Sequence, residues 1–303
     1  MIRKWSGCGT ALVTPFTADG TVDVPAVQRL AERQISGGVH FLVPCGTTGE
    51  SPTLSRTELR HVVELVVETA AGRVPVLAGA GGYATRNVVD LINEMRLAGA
   101  DGILSVTPYY NKPTPEGIYQ HYKAIAESTS LPIVVYNVPS RTGSNVDVDT
   151  LCRLTEIPNI VGVKEASADL SQMCEICRSV PNGFSVLSGD DLFTLPLMSV
   201  GGSGVISVVS NEVPQEMSRL VSAALQGDFS TARELHSQLL PLMQVNFVES
   251  NPIPVKAAMA HLGLIGAHYR LPMVPPQPDS LARIVRVIDQ LCISANLKTT
   301  GSS

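Results

Sequence analysis

A lysine ends the apolar run in "NIVGVKEAS", residues 159–167: Ile160, Val161 and Val163 read as strand, and Lys164 follows them directly. Burial beside apolar walls disfavours the charged ammonium, leaving a free amine that can attack a carbonyl and form a Schiff base. Of the six lysines, at 4, 112, 123, 164, 256 and 298, only Lys164 stands at the end of a predicted strand. The bland alternative is an ion pair with an interior carboxylate and no further role. Tyrosines occupy comparable places, Tyr109 and Tyr110 after one apolar run and Tyr136 within another. Imine chemistry needs proton carriers within hydrogen-bond reach, although a buried phenol also serves as plain packing with its hydroxyl satisfied. Thr47, Thr48 and Glu50 in "CGTTGES", Arg141 after Tyr136, and Gly189, Asp190 and Asp191 in "LSGDD" complete the reactive set.

These residues all lie in or just after short apolar runs, and those runs alternate with amphipathic ones. Eight strands are predicted, over 9–16, 39–46, 74–81, 102–109, 132–139, 159–166, 184–191 and 204–209, with helices between them such as "SRTELRHVVELVVETAAG" and "TPEGIYQHYKAIAESTS". Strands that are apolar throughout are buried on both faces, which implies a parallel sheet covered by helices. The fold class is therefore α/β, a (β/α)8 TIM barrel, whose chemistry lies at the C-terminal strand ends. Residues 1–210 are expected to form the barrel, 211–296 a C-terminal helical extension, and 297–303 a disordered tail.

Composition excludes several other classes. The formal net charge is −5, from 22 Lys+Arg against 27 Asp+Glu, without charge runs, and aromatic residues make up 5%. That describes neither a nucleic-acid surface nor a polybasic membrane anchor. The most apolar window, 192–209, is broken by a proline, three glycines and three serines, and reads as core around a turn. No secretion signal is evident, so the six cysteines are expected to be reduced in the cytoplasm, and "CEIC" (174–177) is a lone pair without a metal partner. The six histidines lack ligand spacing, and no metal is expected. "GTTGES" lacks the P-loop lysine and suits a small carboxylate as well as a phosphate. "VGGSGVISV" (200–208) falls where some barrels hold phosphate, with tight packing of the last strand the simpler reading.

Taken together, "GTTGES", "VTPYYNKPTPEGIYQHY", "YNVPSRTG", "GVKEAS", "LSGDD", "GVISV" and "FVESNPIPVK" resemble, in the same order from about residue 5 to 290, the dihydrodipicolinate synthases. These belong to the pyruvate-dependent class I aldolases, together with the N-acetylneuraminate lyases. The resemblance implies that Lys164 forms an imine with pyruvate and that Tyr136 shuttles protons, relayed by Thr47 and by Tyr110 supplied across a dimer interface. It assigns Thr48 to the pyruvate carboxylate, Arg141 to the carboxylate of L-aspartate 4-semialdehyde, and Gly189 and Ile206 to the pyruvate pocket, Ile206 through its carbonyl. No cofactor is implied. Arg141 and the leading threonine of the pair favour the synthases over the sialic-acid lyases.

The resemblance also implies a homotetramer built as a dimer of dimers, with the dimer as the smallest active unit. Lysine-inhibited members hold their effector at that interface. Here Ser51 and Tyr109 are retained, but Asn87 replaces a glutamate, Tyr83 an asparagine, and Arg56 and Leu59 two histidines. An amide in place of the carboxylate removes the main partner for the effector's ammonium, so feedback inhibition is expected to be weak or absent. The rival readings are another pyruvate aldolase, such as one acting on keto-sugar acids, and a silent relative that binds a keto acid as a sensor.

Overall fold

The computed structural model describes residues 5–294; the stretch 297–303, expected to be a tail, lies outside the described residues. Its strands are β1 (Gly7–Ala11), β2 (Phe41–Val43), β3 (Leu77–Gly79), β4 (Gly102–Val106), β5 (Ile133–Asn137), β6 (Ile160–Glu165), β7 (Ser185–Ser188) and β8 (Gly204–Ser207). They form one parallel sheet in the order β2-β1-β8-β7-β6-β5-β4-β3. Its two ends meet through a parallel bridge between Leu42 and Val76, with Gly79 N donating to Pro44 O, so the sheet closes on itself. The eight-stranded barrel expected from the sequence is present. Its first strand is shorter at the far end than expected. Leu12 N makes the last bond to β2, at Val43 O, and Val13 N then donates to the side chain of Asn211.

Among the described residues, twelve helices accompany the strands. Those of the first half are α1 (Val24–Ser36), α2 (Arg56–Ala70), α3 (Thr85–Leu97), α4 (Pro115–Glu127), α5 (Pro139–Thr142) and α6 (Val148–Leu154). The second half holds α7 (Leu170–Ser179), α8 (Thr194–Ser199), α9 (Pro214–Leu225), α10 (Phe229–Val245), α11 (Ile253–His261) and α12 (Pro278–Ser294). Their starts follow from capping chemistry. Asp23, Asp147, Asp169 and Asp228 each accept a hydrogen bond from the backbone N–H three residues on, opening α1, α6, α7 and α10. Ser55 and Glu58 cap α2 reciprocally, and Thr114 followed by Pro115 opens α4. After β8, helix α9 packs on β1 and α1, and α10 packs on α9, while α12 packs on α10 and α11. Among the described residues no helix is long and apolar enough to cross a membrane.

Alternate strand residues divide between two layers. Ile103, Ile133, Val135, Val163 and Val186 face outward against the helices. Phe41, Leu77, Leu104, Val134, Leu187 and Ile206 fill the barrel. Trp5 closes the N-terminal end, its ring edge-on to Phe41 at 5.4 Å and so close to Gly102 that a Cβ there would sit 2.6 Å from it. Burying each large apolar side chain contributes roughly 1.5–3 kcal/mol, so the interior is a packed core and not a pore.

One irregularity decides where Lys164 points. The β5–β6 register runs Ile133↔Ile160 and then Val134↔Gly162, so β6 carries one extra residue, Val161. A continuous register would set Val163 opposite Tyr136 and turn Lys164 toward the helices. The bulge corrects this, placing Lys164 directly opposite Tyr136 with both side chains inside the barrel.

Candidate active site

Lys164 is 5% exposed and Tyr136 6%. The lysine Nζ lies 4.2 Å from the centroid of the Tyr136 ring. On the far side, Gly189 follows β7 and donates its N–H to Glu165 O at 2.7 Å. A Cβ at Gly189 would lie 3.1 Å from Lys164 Cε and 2.6 Å from Ala166 Cβ, so only glycine leaves the lysine its place. Ile206 is fully buried in the same interior layer as Tyr136.

A second lysine, Lys256 on α11, is buried more deeply, at 1%. It sits 2.7 Å from Glu50 Oε1, donates to Thr14 O and lies over the Phe16 ring. Burial pushes Glu50 up and Lys256 down, each opposed by the other's charge. Lys164 has no such partner: among the described residues it enters no ion pair, and Asp190 is the carboxylate that senses its charge. The interior ion pair weighed as the bland alternative for Lys164 therefore belongs to Lys256. Asp190 itself is raised by burial and accepts from Leu192 N. Next to it, buried Asp191 is pushed up to about 6 by loss of water while accepting from the N–H groups of Val208 and Val209.

The loop after β2 carries Thr47 and Thr48. Glu50 adopts a left-handed φ of 55°, Glu50 N donates to Thr47 O, and Thr14 Oγ1 donates to Gly49 O at 2.7 Å. Thr47 faces a cavity of about 290 Å³, shared with Ser51, Leu59, Tyr109, Tyr136 and Arg141. Thr48 is 2% exposed, and its Oγ1 accepts from Asn251 Nδ2 at 3.0 Å. Arg141, on the short helix α5, is held at the cavity rim by a hydrogen bond from Nη2 to Asn251 O at 3.4 Å. Asn251 and Lys256 received no role from the sequence. The signals are a lysine inside the apolar helical run "PIPVKAAMA" and the place of both residues in the motif "FVESNPIPVK".

Tyr110 stands apart from the others within this chain. It is 90% exposed and holds a φ of 72°, a left-handed conformation that bulky residues avoid. Its neighbour Tyr109 lines the cavity and meets Tyr83 edge-on at 5.5 Å. Asn87 is exposed on α3, and its carbonyl accepts from Arg56. Ser51 and Tyr109 thus line the cavity and Tyr83 packs on Tyr109, while Asn87 is exposed outside the lining.

The model of the dihydrodipicolinate synthetase family matches residues 4–291 of this sequence. The chain belongs to that family. The 4-hydroxy-tetrahydrodipicolinate synthase of Koribacter versatilis (strain Ellin345) is 52% identical over 294 residues, 97% of this chain and 98% of that protein. Among solved structures, dihydrodipicolinate synthase from Aquifex aeolicus superposes with a TM-score of 0.93 at 44% identity, covering 98% of this chain and 100% of that one. The first monomeric variant of a dihydrodipicolinate synthase also superposes at 0.93, with 44% identity over 95% of this chain and 97% of its own. Family membership agrees with the sequence resemblance in both fold and extent.

Proposed function

We propose that this chain is a 4-hydroxy-tetrahydrodipicolinate synthase, condensing pyruvate with L-aspartate 4-semialdehyde in the diaminopimelate route to lysine. The observation that carries the reading is the inward-facing Lys164, opposite Tyr136 and outside every ion pair of the described residues. Its Nζ attacks the pyruvate ketone, and the carbinolamine loses water to give an iminium. A methyl proton then leaves, and the resulting enamine attacks the aldehyde carbon of the semialdehyde. Finally the semialdehyde's amine adds to the iminium carbon, closing the ring and expelling the Lys164 amine.

Tyr136 carries protons to and from the carbinolamine oxygen and the new alkoxide, with Thr47 beside it on the cavity wall as relay. Thr48 binds the pyruvate carboxylate, and Gly189 and Ile206 line the pyruvate pocket, Ile206 through its backbone carbonyl. Arg141, at the rim, takes the second substrate's carboxylate in a bidentate grip. Tyr110 serves a partner subunit, as its exposure and strained backbone suggest for a side chain held outward. A dimer is then the smallest active unit and a homotetramer the full assembly. The chemistry needs neither metal nor organic cofactor, and a cytoplasmic location suits its substrates.

Asn87, an exposed amide on α3, offers an effector no carboxylate. Sub-millimolar L-lysine is therefore expected to leave initial rates unchanged; inhibition in that range would refute this. The main test is intact mass after borohydride treatment with pyruvate, beside Lys164→Ala, followed by turnover of the semialdehyde without borohydride. An adduct lost in the variant, with turnover in the parent, is the expected result. An adduct without turnover would point to a different aldolase, and no adduct would remove Lys164 from the chemistry.

A further inference from the structure

Asn251, in the stretch "VESNPIPVK" just before α11, has no part in the chemistry above, yet it touches two residues that do. Its Nδ2 donates to Thr48 Oγ1 at 3.0 Å across 203 residues of sequence, and its carbonyl accepts from Arg141 Nη2. A hydroxyl has one proton to give and two lone pairs to offer. With a lone pair engaged by the Asn251 amide, the Thr48 O–H is left to donate, and a donor is what a carboxylate binds. An unrestrained hydroxyl would also present its lone pairs to the anion. The loop is pinned again two residues on, where Lys256 meets Glu50 at 2.7 Å. Asn251 Oδ1 is meanwhile buried without a hydrogen-bond partner among the described residues. An unsatisfied buried amide oxygen is a cost that packing does not explain, since an apolar residue would fill the same space without it.

We propose that Asn251 is a positioning residue for the keto acid: its amide fixes the Thr48 hydroxyl as a donor to the pyruvate carboxylate, while its carbonyl steadies Arg141 at the rim. The inference rests on the roles given above to Thr48 and Arg141. It predicts a specific kinetic pattern. Asn251→Ala raises the KM for pyruvate about tenfold, the worth of a hydrogen bond to a charged group, with a much smaller change in kcat. Asn251→Asp keeps the volume but has no proton to donate at neutral pH, so it draws the hydroxyl proton to itself and raises the KM for pyruvate at least as much. This isosteric variant carries the test if Asn251→Ala does not fold.

The decisive comparison includes Thr48→Val. If Asn251 acts through Thr48, adding Asn251→Ala to Thr48→Val raises the pyruvate KM no further. A raised pyruvate KM in Thr48→Val, with an unchanged one in both Asn251 variants, would overturn the inference and leave the role of Thr48 standing. Full additivity in the double variant would likewise overturn it. An unchanged pyruvate KM in Thr48→Val would instead remove Thr48 from the carboxylate site, and the inference with it.

Discussion

Burying a lysine without an opposite charge is costly, and this chain buries one lysine with a carboxylate and one without. Sequence position distinguishes them: Lys164 ends a strand and Lys256 lies in a helix. What the sequence does not give is the direction of Lys164, because the bulge at Val161 is invisible in a run that is apolar on both faces. The pairing of Asn251 is equally hidden, although the residue lies in the motif "FVESNPIPVK", since its partner Thr48 is 203 residues away and no periodicity links them. Tyr136, by contrast, is marked by its place in an apolar strand, and its ring covers the Lys164 amine. If its hydroxyl carries the protons of imine formation, Tyr136→Phe should lower kcat by about 10²–10⁴-fold, the usual worth of a positioned acid–base group. Single-turnover trapping with pyruvate and borohydride should slow by a similar factor. An unslowed trapping rate would assign the tyrosine to packing.

At the scale of elements, the repeating strands and helices were legible because burial on two faces and amphipathic periodicity are local signals. The contacts between the extension and the barrel were not, because they depend on single polar residues from distant stretches. Lys256 on α11 reaches Glu50 and Thr14 O inside the barrel's mouth. Removing one partner leaves an uncompensated buried charge, so Lys256→Met should destabilise the protein by about 3–5 kcal/mol in chemical denaturation. Adding Glu50→Gln should recover much of that loss, since no bare charge remains; a double variant no more stable than Lys256→Met would contradict this reading. A second tie joins the segment before α12 to α2: Arg270 donates to Thr53 O, Gly20 O and both carboxylate oxygens of Glu58. The guanidinium beside Glu58 holds its carboxyl down at about 2, from an ordinary 4.5. A depressed carboxylate stabilises the fold above its unfolded value and loses that contribution as pH falls through its folded one. The melting-temperature gap between the parent and Arg270→Met should therefore be widest above pH 4.5 and shrink toward pH 2. A gap independent of pH across that window would mean that Arg270 acts only through the two backbone carbonyls.

For the molecule as a whole, the chain gathers Tyr136, Thr47 and Arg141 around one cavity, with Lys164 against Tyr136, but turns Tyr110 out to solvent. A non-glycine residue with a left-handed backbone costs roughly 1–3 kcal/mol, and such strain persists where something outside the residue uses it. The proposed use is a two-fold pair in which each subunit lends its Tyr110 to the other's site. That arrangement has a consequence that no single-chain mechanism shares. Lys164→Ala and Tyr110→Phe should each be nearly inactive as pure proteins. In a mixed dimer, however, the subunit that keeps Lys164 receives an intact Tyr110 from its Lys164→Ala partner. One site per mixed dimer is then complete, and random exchange makes half of all dimers mixed. Mixing equal amounts, with time for subunits to exchange, should restore about a quarter of the parent's activity per chain. If Tyr110 instead folds back onto its own site, the one subunit keeping Lys164 still lacks its tyrosine, and mixing restores nothing.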